Sequence, residues 1–527
     1  MLVILINISL SVRAEILDVS SNYQQPIGKS LYVMQEKHAA LNIHTVLDDF
    51  NNKGFSDSAQ KVISLGLGAN PVWLAFHVKN SEENPVLRRI QIDCSWIDKI
   101  DVYFVHNDKL VNKYQTGDSL PFSERAIDYR FFDFDHFFKA GETTVFIRAE
   151  SIDPMVLPIY LMDRDNAQNQ QELENYGYGF LYGIIFALLA YNLILFLALK
   201  NTAYLLYSTY LVSFLLLNIS YTGHGFRWFW PEYIHWQQLS NPLLMIVCLV
   251  SGIAFACKFL AVKTTFPAIY RSTVYLCCFV VVFGFFAALF NQQLLLLQLA
   301  FVFSVVFSFM MAILGGLSVR IGNQSAKFFL LAAISAILGA ISTSFAVSGV
   351  IPFNALSFHA FEIGMVLDAI LLAFALAKKI QLNDLEKYHA IKMASTDSLT
   401  ALNNRRAFYD LIEPVWTMGS RHNREVALIM LDIDNFKLLN DNYGHGHGDE
   451  ALVLLAEVLK KEARASDIVA RWGGEEFIVF LPETNLVNAI NIAERIRQRI
   501  ASIVMTANAV ETPFTVSIGV AQSTDIN

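Results

Sequence analysis

Arg471-Trp472-Gly473-Gly474-Glu475-Glu476-Phe477-Ile478-Val479-Phe480-Leu481 reads as a hairpin, with two glycines making the turn and an apolar run leaving it as a strand. Ile468-Val469-Ala470 is the short strand entering that turn. Further upstream, Val426-Ala427-Leu428-Ile429-Met430-Leu431 has the unbroken apolar character of a buried strand, and Asp432 stands at its end. A helix is expected through Phe436 and Leu439. A second is expected after the glycine-rich turn Gly444-His445-Gly446-His447-Gly448, with Ala451, Leu452, Leu455 and Val458 on one face. From Asp397 onward the chain therefore reads as a soluble α/β domain.

The chemistry of that domain follows from oxygen ligands and glycines. Asp432 at a strand end and Glu475 at a hairpin tip can converge as hard ligands for Mg²⁺. Gly473 and Gly474 permit a turn that Cβ atoms would obstruct and let backbone approach a phosphate. Asn440 and Asp449 supply an amide and a carboxylate suited to reading a base edge.

The ordered set Asp397-Ser398-Leu399-Thr400, Asn404-Arg405-Arg406, Leu431-Asp432-Ile433-Asp434, Phe436-Lys437, Asn440-Asp441, Tyr443-Gly444-His445, Gly448-Asp449 and Arg471 to Phe477 resembles the GGDEF diguanylate cyclase family. Thr515-Val516-Ser517-Ile518-Gly519-Val520-Ala521 fits it too. The resemblance implies a cytoplasmic α+β domain over 397–527, similar to the nucleotide cyclase and polymerase palm, that condenses two GTP into cyclic di-GMP. It further implies Mg²⁺, or Mn²⁺ in its place, on Asp432, Glu475 and the Ile433 carbonyl, with Glu475 or Glu476 as catalytic base. Asn440 and Asp449 would read guanine. Asn435, Phe436 and Lys437 would lie along the triphosphate, with His445 near the substrate. One GTP per domain implies a homodimer. Arg464-Ala465-Ser466-Asp467 stands where the family has its RxxD product-inhibition site, with Arg495 as the further arginine there. The family continues through a final helix that supplies a lysine and an arginine. Here only Gln522 to Asn527 follow Ala521, so the domain is expected to be truncated. The rival expectation is a catalytically silent GGDEF domain that binds GTP or cyclic di-GMP as a receptor.

Outward from this domain, residues 379–396 are polar and helix-prone, with Leu382, Leu385, Tyr388 and Ile391 forming a short apolar stripe. They are expected to be a helical connector. Before it, residues 176–378 contain seven apolar stretches of membrane-spanning length, near 176–199, 203–222, 241–262, 271–291, 293–318, 327–350 and 355–377. Lys200, Lys258, Lys263, Arg271, Arg320, Lys327, Lys378 and Lys379 fall on one side of such a bundle, and Arg227 on the other. The positive-inside rule then places the C-terminal domain in the cytoplasm, as an odd number of spans also requires. Glu362 and Asp368, beside His359, lie inside the seventh stretch. Intramembrane carboxylates are functional candidates, whether for ion movement, pairing or signal relay.

Residues 29–165 alternate apolar and polar residues in short runs, as in Val72 to Val78, Asp101 to Val105 and Thr144 to Arg148, separated by turn formers. They predict an extracytoplasmic β-sandwich, with Trp73, Trp96, Tyr103, Tyr129 and Phe131 as core or ligand-facing aromatics. Residues 1–14 are expected to be a signal peptide. The upstream half resembles the seven-transmembrane receptors with diverse intracellular signalling modules, on Asn70 to Phe76, Ile97 to Tyr103, Tyr191-Asn192-Leu193 and Ala373 to Ala377. That implies a jelly-roll-like periplasmic domain for a small ligand such as a carbohydrate, and a bacterial inner-membrane location.

Composition agrees with this plan. Of 527 residues, 54% are hydrophobic and 16% charged, against roughly 25% charged in soluble domains. A net charge of −8 and the lack of a basic block argue against a nucleic-acid partner. Four of five cysteines lie in apolar stretches and Cys94 stands alone, so neither a disulfide framework nor a zinc site is indicated.

Overall fold

The computed structural model describes residues 14–21, 23–37, 40–348, 350–352, 354–421, 424–507 and 510–523, so the expected signal peptide lies outside the described residues except for Ala14. The chain divides into two units, Met1–Lys379 and Ile380–Asn527.

In the first unit, Val72–Asn80 is an inner strand of the larger β-sheet. It pairs antiparallel with Tyr32–Gln35 and Gly141–Glu150, and the sheet continues through Lys99–His106 to Lys109–Thr116. A smaller sheet runs Ile159–Met162, Val86–Ile92, Phe132–Phe138. Strand alternation sends Val72, Leu74, Phe76 and Val78 into the core with Ile90, Ile92, Phe132 and Phe134 of the smaller sheet. Each such fully buried side chain contributes roughly 1.5–3 kcal/mol.

The opposite face of the larger sheet carries Trp73, Ala75, Tyr103 and Phe146, and it is covered by the helix Ile43–Asn51. A purely β reading of this domain missed that helix. Its apolar residues Ile43, Val46, Leu47 and Phe50 have helical spacing, and Asn42 caps it by accepting from the Thr45 amide at 2.9 Å. Trp73, Tyr103, Tyr129 and Phe131 are buried, while half-buried Trp96 donates to the Pro154 carbonyl at 2.9 Å.

Among the described residues, seven helices are long and apolar enough to cross a membrane. They are Arg164–Leu199, Thr202–Tyr221, Ile234–Phe259, Pro267–Leu289, Gln293–Arg320, Ala326–Val347 and Ala360–Ser395. The first begins at Arg164 rather than near 176, because its polar first turns do not enter hydrocarbon. Gln171 donates to Asp133 at 2.6 Å, and Glu174 accepts from Arg130 at 2.6 Å, so those turns serve the β-domain. The third begins at Ile234 rather than 241 for the same reason: Gln237, in its first turn, is buried against the β-domain.

Tyrosines of the second span meet the seventh. Tyr221 donates to Glu362 at 2.5 Å, Tyr210 to Asp368 at 3.0 Å, and Tyr207 to the carbonyl of Ala369. His359 stands 3.8 Å from Glu362. Both intramembrane carboxylates are thus partnered from within the bundle.

The second unit is a five-stranded sheet in the order Asn403–Asn404, Ile468–Gly473, Glu476–Pro482, Val426–Ile433, Val516–Ser523. Helices His445–Glu462 and Leu486–Ala501 cover one face through Leu452, Leu455, Ile492 and Ile496 against Ile429, Leu431 and Val479. Arg405–Arg421 covers the other through Phe408 against Ala470, Ile478 and Phe480. The helix His445–Glu462 already includes His445 to Gly448 of the glycine-rich run, with Gly444 as its N-cap, so that run is not a preceding loop.

Tyr210→Phe deletes a donor to a carboxylate that is 6% exposed. We expect it to destabilise the full chain by about 1–3 kcal/mol, read as a lower Tm in detergent micelles.

Candidate functional site

The strand Val426–Ile433 lies antiparallel to Glu476–Pro482, in a register that sets Asp432 opposite Glu476 and, across its other edge, opposite Ser517. The hairpin between Gly473 and Glu476 therefore holds Glu475 and Glu476 beside Asp432. Gly474 takes a φ of +36°, a backbone conformation that side chains disfavour. Burial, then Glu475, Glu476 and Asp434, push the Asp432 carboxyl above its ordinary range. No lysine or arginine contributes to that shift. Asp434 has other partners: Ser517 at 2.5 Å and Thr515 at 2.6 Å donate to it and hold its carboxyl low.

Among the described residues, no three His, Cys, Asp or Glu side chains converge as a metal site. A cation here would rest on Asp432, Glu475, the carbonyl of Ile433 and water. The uncompensated negative charge around Asp432 fits a hard divalent ion.

Asn435 adopts φ +54° and starts the helix Phe436–Tyr443, so the first amides of that helix open just past the acidic strand end. Lys437 is exposed there. Asn440, on the same helix, turns its side chain toward the next one. Its Oδ1 is buried without a donor among the described residues, and a Cβ on Gly448 would stand 2.0 Å from that atom. Gly448 thus makes the space that Asn440 occupies. His445 and Asp449 are exposed in the first turn of His445–Glu462. His447 is buried: it shares a hydrogen bond with Thr512 at 2.8 Å and stands 3.3 Å from Glu450.

Two residues that sequence reading left without a role organise the hairpin. Arg471 donates through Nε and Nη2 to the Gly474 carbonyl at 3.0 and 2.6 Å, and through Nη1 to Asp397 at 3.2 Å. Asp397 also accepts from the Thr400 amide and hydroxyl. The motif Asp397 to Thr400 was visible in the sequence; its contact with Arg471, 74 positions away, was not.

The second constellation is less assembled. Asp467 closes on its own turn, accepting from the Arg464 amide at 2.7 Å. Arg495 pairs with Glu462, as does Arg499, and not with Asp467. Glu462 went unnoticed because its partners lie on another helix.

Three families match the chain in succession: "7TMR-DISM extracellular 2" over residues 28–163, "7TM diverse intracellular signalling" over 174–379, and "Diguanylate cyclase, GGDEF domain" over 394–526. The diguanylate cyclase DgcM of Escherichia coli is 44% identical over 128 residues, 24% of this chain and 30% of that protein. The response regulator PleD of Caulobacter vibrioides is 39% identical over 131 residues, 25% of this chain and 27% of its own length. The chain thus spans less than a third of these relatives. A solved structure of the coiled coil and GGDEF domain of DgcB from Caulobacter crescentus, in complex with c-di-GMP, is 30% identical. It covers 29% of this chain and 81% of that one, with a TM-score of 0.27.

Arg471→Ala should release the hairpin, raising amide exchange over residues 472–477 and costing about 1–2 kcal/mol. A raised Asp432 carboxyl has a signed consequence. Its contribution to stability is intact below about pH 3.9 and is lost as pH rises through its folded value. Glu475→Gln should therefore stabilise the metal-free chain by about 0.5 kcal/mol near neutrality, the site being half exposed. Thermal melts in chelator across pH test this.

Proposed function

We propose that this chain, which carries a GGDEF domain behind a seven-transmembrane signalling region and its extracellular domain, is a ligand-regulated diguanylate cyclase. It condenses two GTP into cyclic di-GMP and two pyrophosphates. The observation that carries this reading is the group of Asp432, Glu475 and Glu476 at one sheet edge, with mutual repulsion and, among the described residues, no basic group that lowers the Asp432 carboxyl.

Asp432, Glu475 and the Ile433 carbonyl would hold Mg²⁺, or Mn²⁺, which when bound would neutralise phosphoryl charge and acidify a hydroxyl. Asn440 and Asp449 read the guanine. The amides of Asn435, Phe436 and Lys437 lie along the triphosphate, where a helix start favours anions, and His445 stands nearby. The 3′-hydroxyl of each GTP attacks the α-phosphorus of the other in turn, so that two P–O bonds form, two bonds to pyrophosphate break and two pyrophosphates leave. Glu475 or Glu476 accepts the hydroxyl proton. Each domain binds one GTP, so the active species is a homodimer. Arg464, Asp467 and Arg495 bind cyclic di-GMP as product inhibitor, and Arg495 must first exchange its Glu462 partner. The β-domain faces the periplasm across the bacterial inner membrane and takes a small ligand, such as a carbohydrate, and the GGDEF domain is cytoplasmic.

The full chain in lipid nanodiscs, given GTP and Mg²⁺, should form cyclic di-GMP. Glu475→Ala should lower the rate by about a thousandfold or more, and Arg464→Ala should keep turnover while weakening product inhibition. Binding of GTP or cyclic di-GMP without any product from the wild-type chain would replace the enzyme by a receptor.

A further inference from the structure

The second, third, fifth, sixth and seventh spans leave a cavity between them of about 470 Å³, part of it continuous with the outside of the bundle. Sites for small ligands run from about 300 to about 1,000 Å³. The wall carries four aromatic rings, those of Tyr210, Phe255, Phe307 and Phe329, and the carboxylate of Asp368. Gly252 lets two of the rings close on the third span, since a Cβ there would stand 3.2 Å from both Phe307 and Tyr210.

Asp368 is buried, yet only one of its two oxygens is served. Tyr210 donates to Oδ2 at 3.0 Å, and Oδ1 has no donor among the described residues. No lysine, arginine or histidine among them pairs with this carboxylate either. Glu362, earlier on the same span, differs on both counts: His359 stands 3.8 Å from it, and it does not line the cavity.

An ionised carboxylate within hydrocarbon calls for a proton or a cation. A proton would need neither the space nor the rings. A divalent metal ion would take about six oxygens. The wall adds to Asp368 only the hydroxyls of Tyr210 and Ser308, and Ser308 already donates to the Ser304 carbonyl at 2.9 Å. An organic ammonium makes use of every feature. Its N–H supplies the donor that Oδ1 lacks, aromatic rings attract its charge, and its apolar remainder is removed from water.

We propose that this cavity binds a small primary or secondary amine in its protonated form, with Asp368 as counter-ion and the rings as its walls. Alkylamines are protonated at neutral pH, as lysine is. Occupancy joins the seventh span to the four others at one point. The site lies in the first unit, apart from the acidic sheet edge of the second, and does not rest on the cyclase reading.

The test adds hexylammonium chloride, or hexanol as its neutral counterpart, to the full chain in lipid nanodiscs. Hexylammonium should raise the Tm saturably, and hexanol at equal membrane concentration should not. D368N should raise the half-saturating concentration of hexylammonium about a hundredfold. A336L, which fills the cavity, should abolish the shift. A measurement on the wild type alone guards against variants that fail to fold. A hexylamine bearing a diazirine should, on irradiation, label residues 307–311, 333–337 and 365–372, and excess hexylammonium should suppress that labelling. Equal shifts from amine and alcohol, a shift unchanged in D368N, or labelling spread evenly over all spans would overturn the proposal. So would the same stabilisation by sodium or calcium chloride without amine, which would make this a metal site.

Discussion

Removing a carboxylate from water costs several kcal/mol unless a donor, a cation or a proton replaces its hydration. This chain meets that requirement differently in each region. In the β-domain, Glu36 is clamped by Arg148 through two hydrogen bonds of 2.9 Å and by the Trp73 indole at 2.8 Å. In the bundle, where a cation would itself be costly, tyrosine hydroxyls serve Glu362 and Asp368. At the sheet edge of the second unit, Asp432 has like-charged neighbours instead of a counter-ion. The unmet case is the informative one, because stability alone would not select it.

Sheet register explains how that edge is made. Side-chain direction alternates every residue along a strand. The same alternation that buries Ile429, Leu431 and Ile433 on one side brings Asp432 to the row of Glu476 and Ser517. Arg471 then fixes the hairpin by occupying the Gly474 carbonyl while Asp397 holds its other end. A shift of one residue in this pairing would part Asp432 from Glu476 and Ser517.

The first unit has comparable directness. Four polar residues at the span ends find partners in the β-domain: Gln171 with Asp133, Glu174 with Arg130, Gln237 with Asp118, Gln293 with Asp153. Tyr221 ends the second span with its carbonyl on Ser95 and its hydroxyl on Glu362. Tyr221 therefore links the β-domain to the seventh span through two hydrogen bonds of its own.

Local pattern was enough to determine the three-part plan. Long apolar runs announce spans because hydrocarbon satisfies no backbone group. Period-two runs announce the β-domain's strands, and the spacing of Asp432, Asn440, Gly448 and Gly473 to Glu476 announces the acidic site. Helix starts at Arg164 and Ile234 and the helix Ile43–Asn51 escaped that reading, because their polar or mixed sequences are stabilised by partners distant in the chain. The tertiary structure alone decided what each carboxylate meets: Asp118 with Gln237, Glu362 with Tyr221, Asp432 with Glu476. Sequence lists ionisable groups, but their charge depends on burial and on neighbours brought together only by folding.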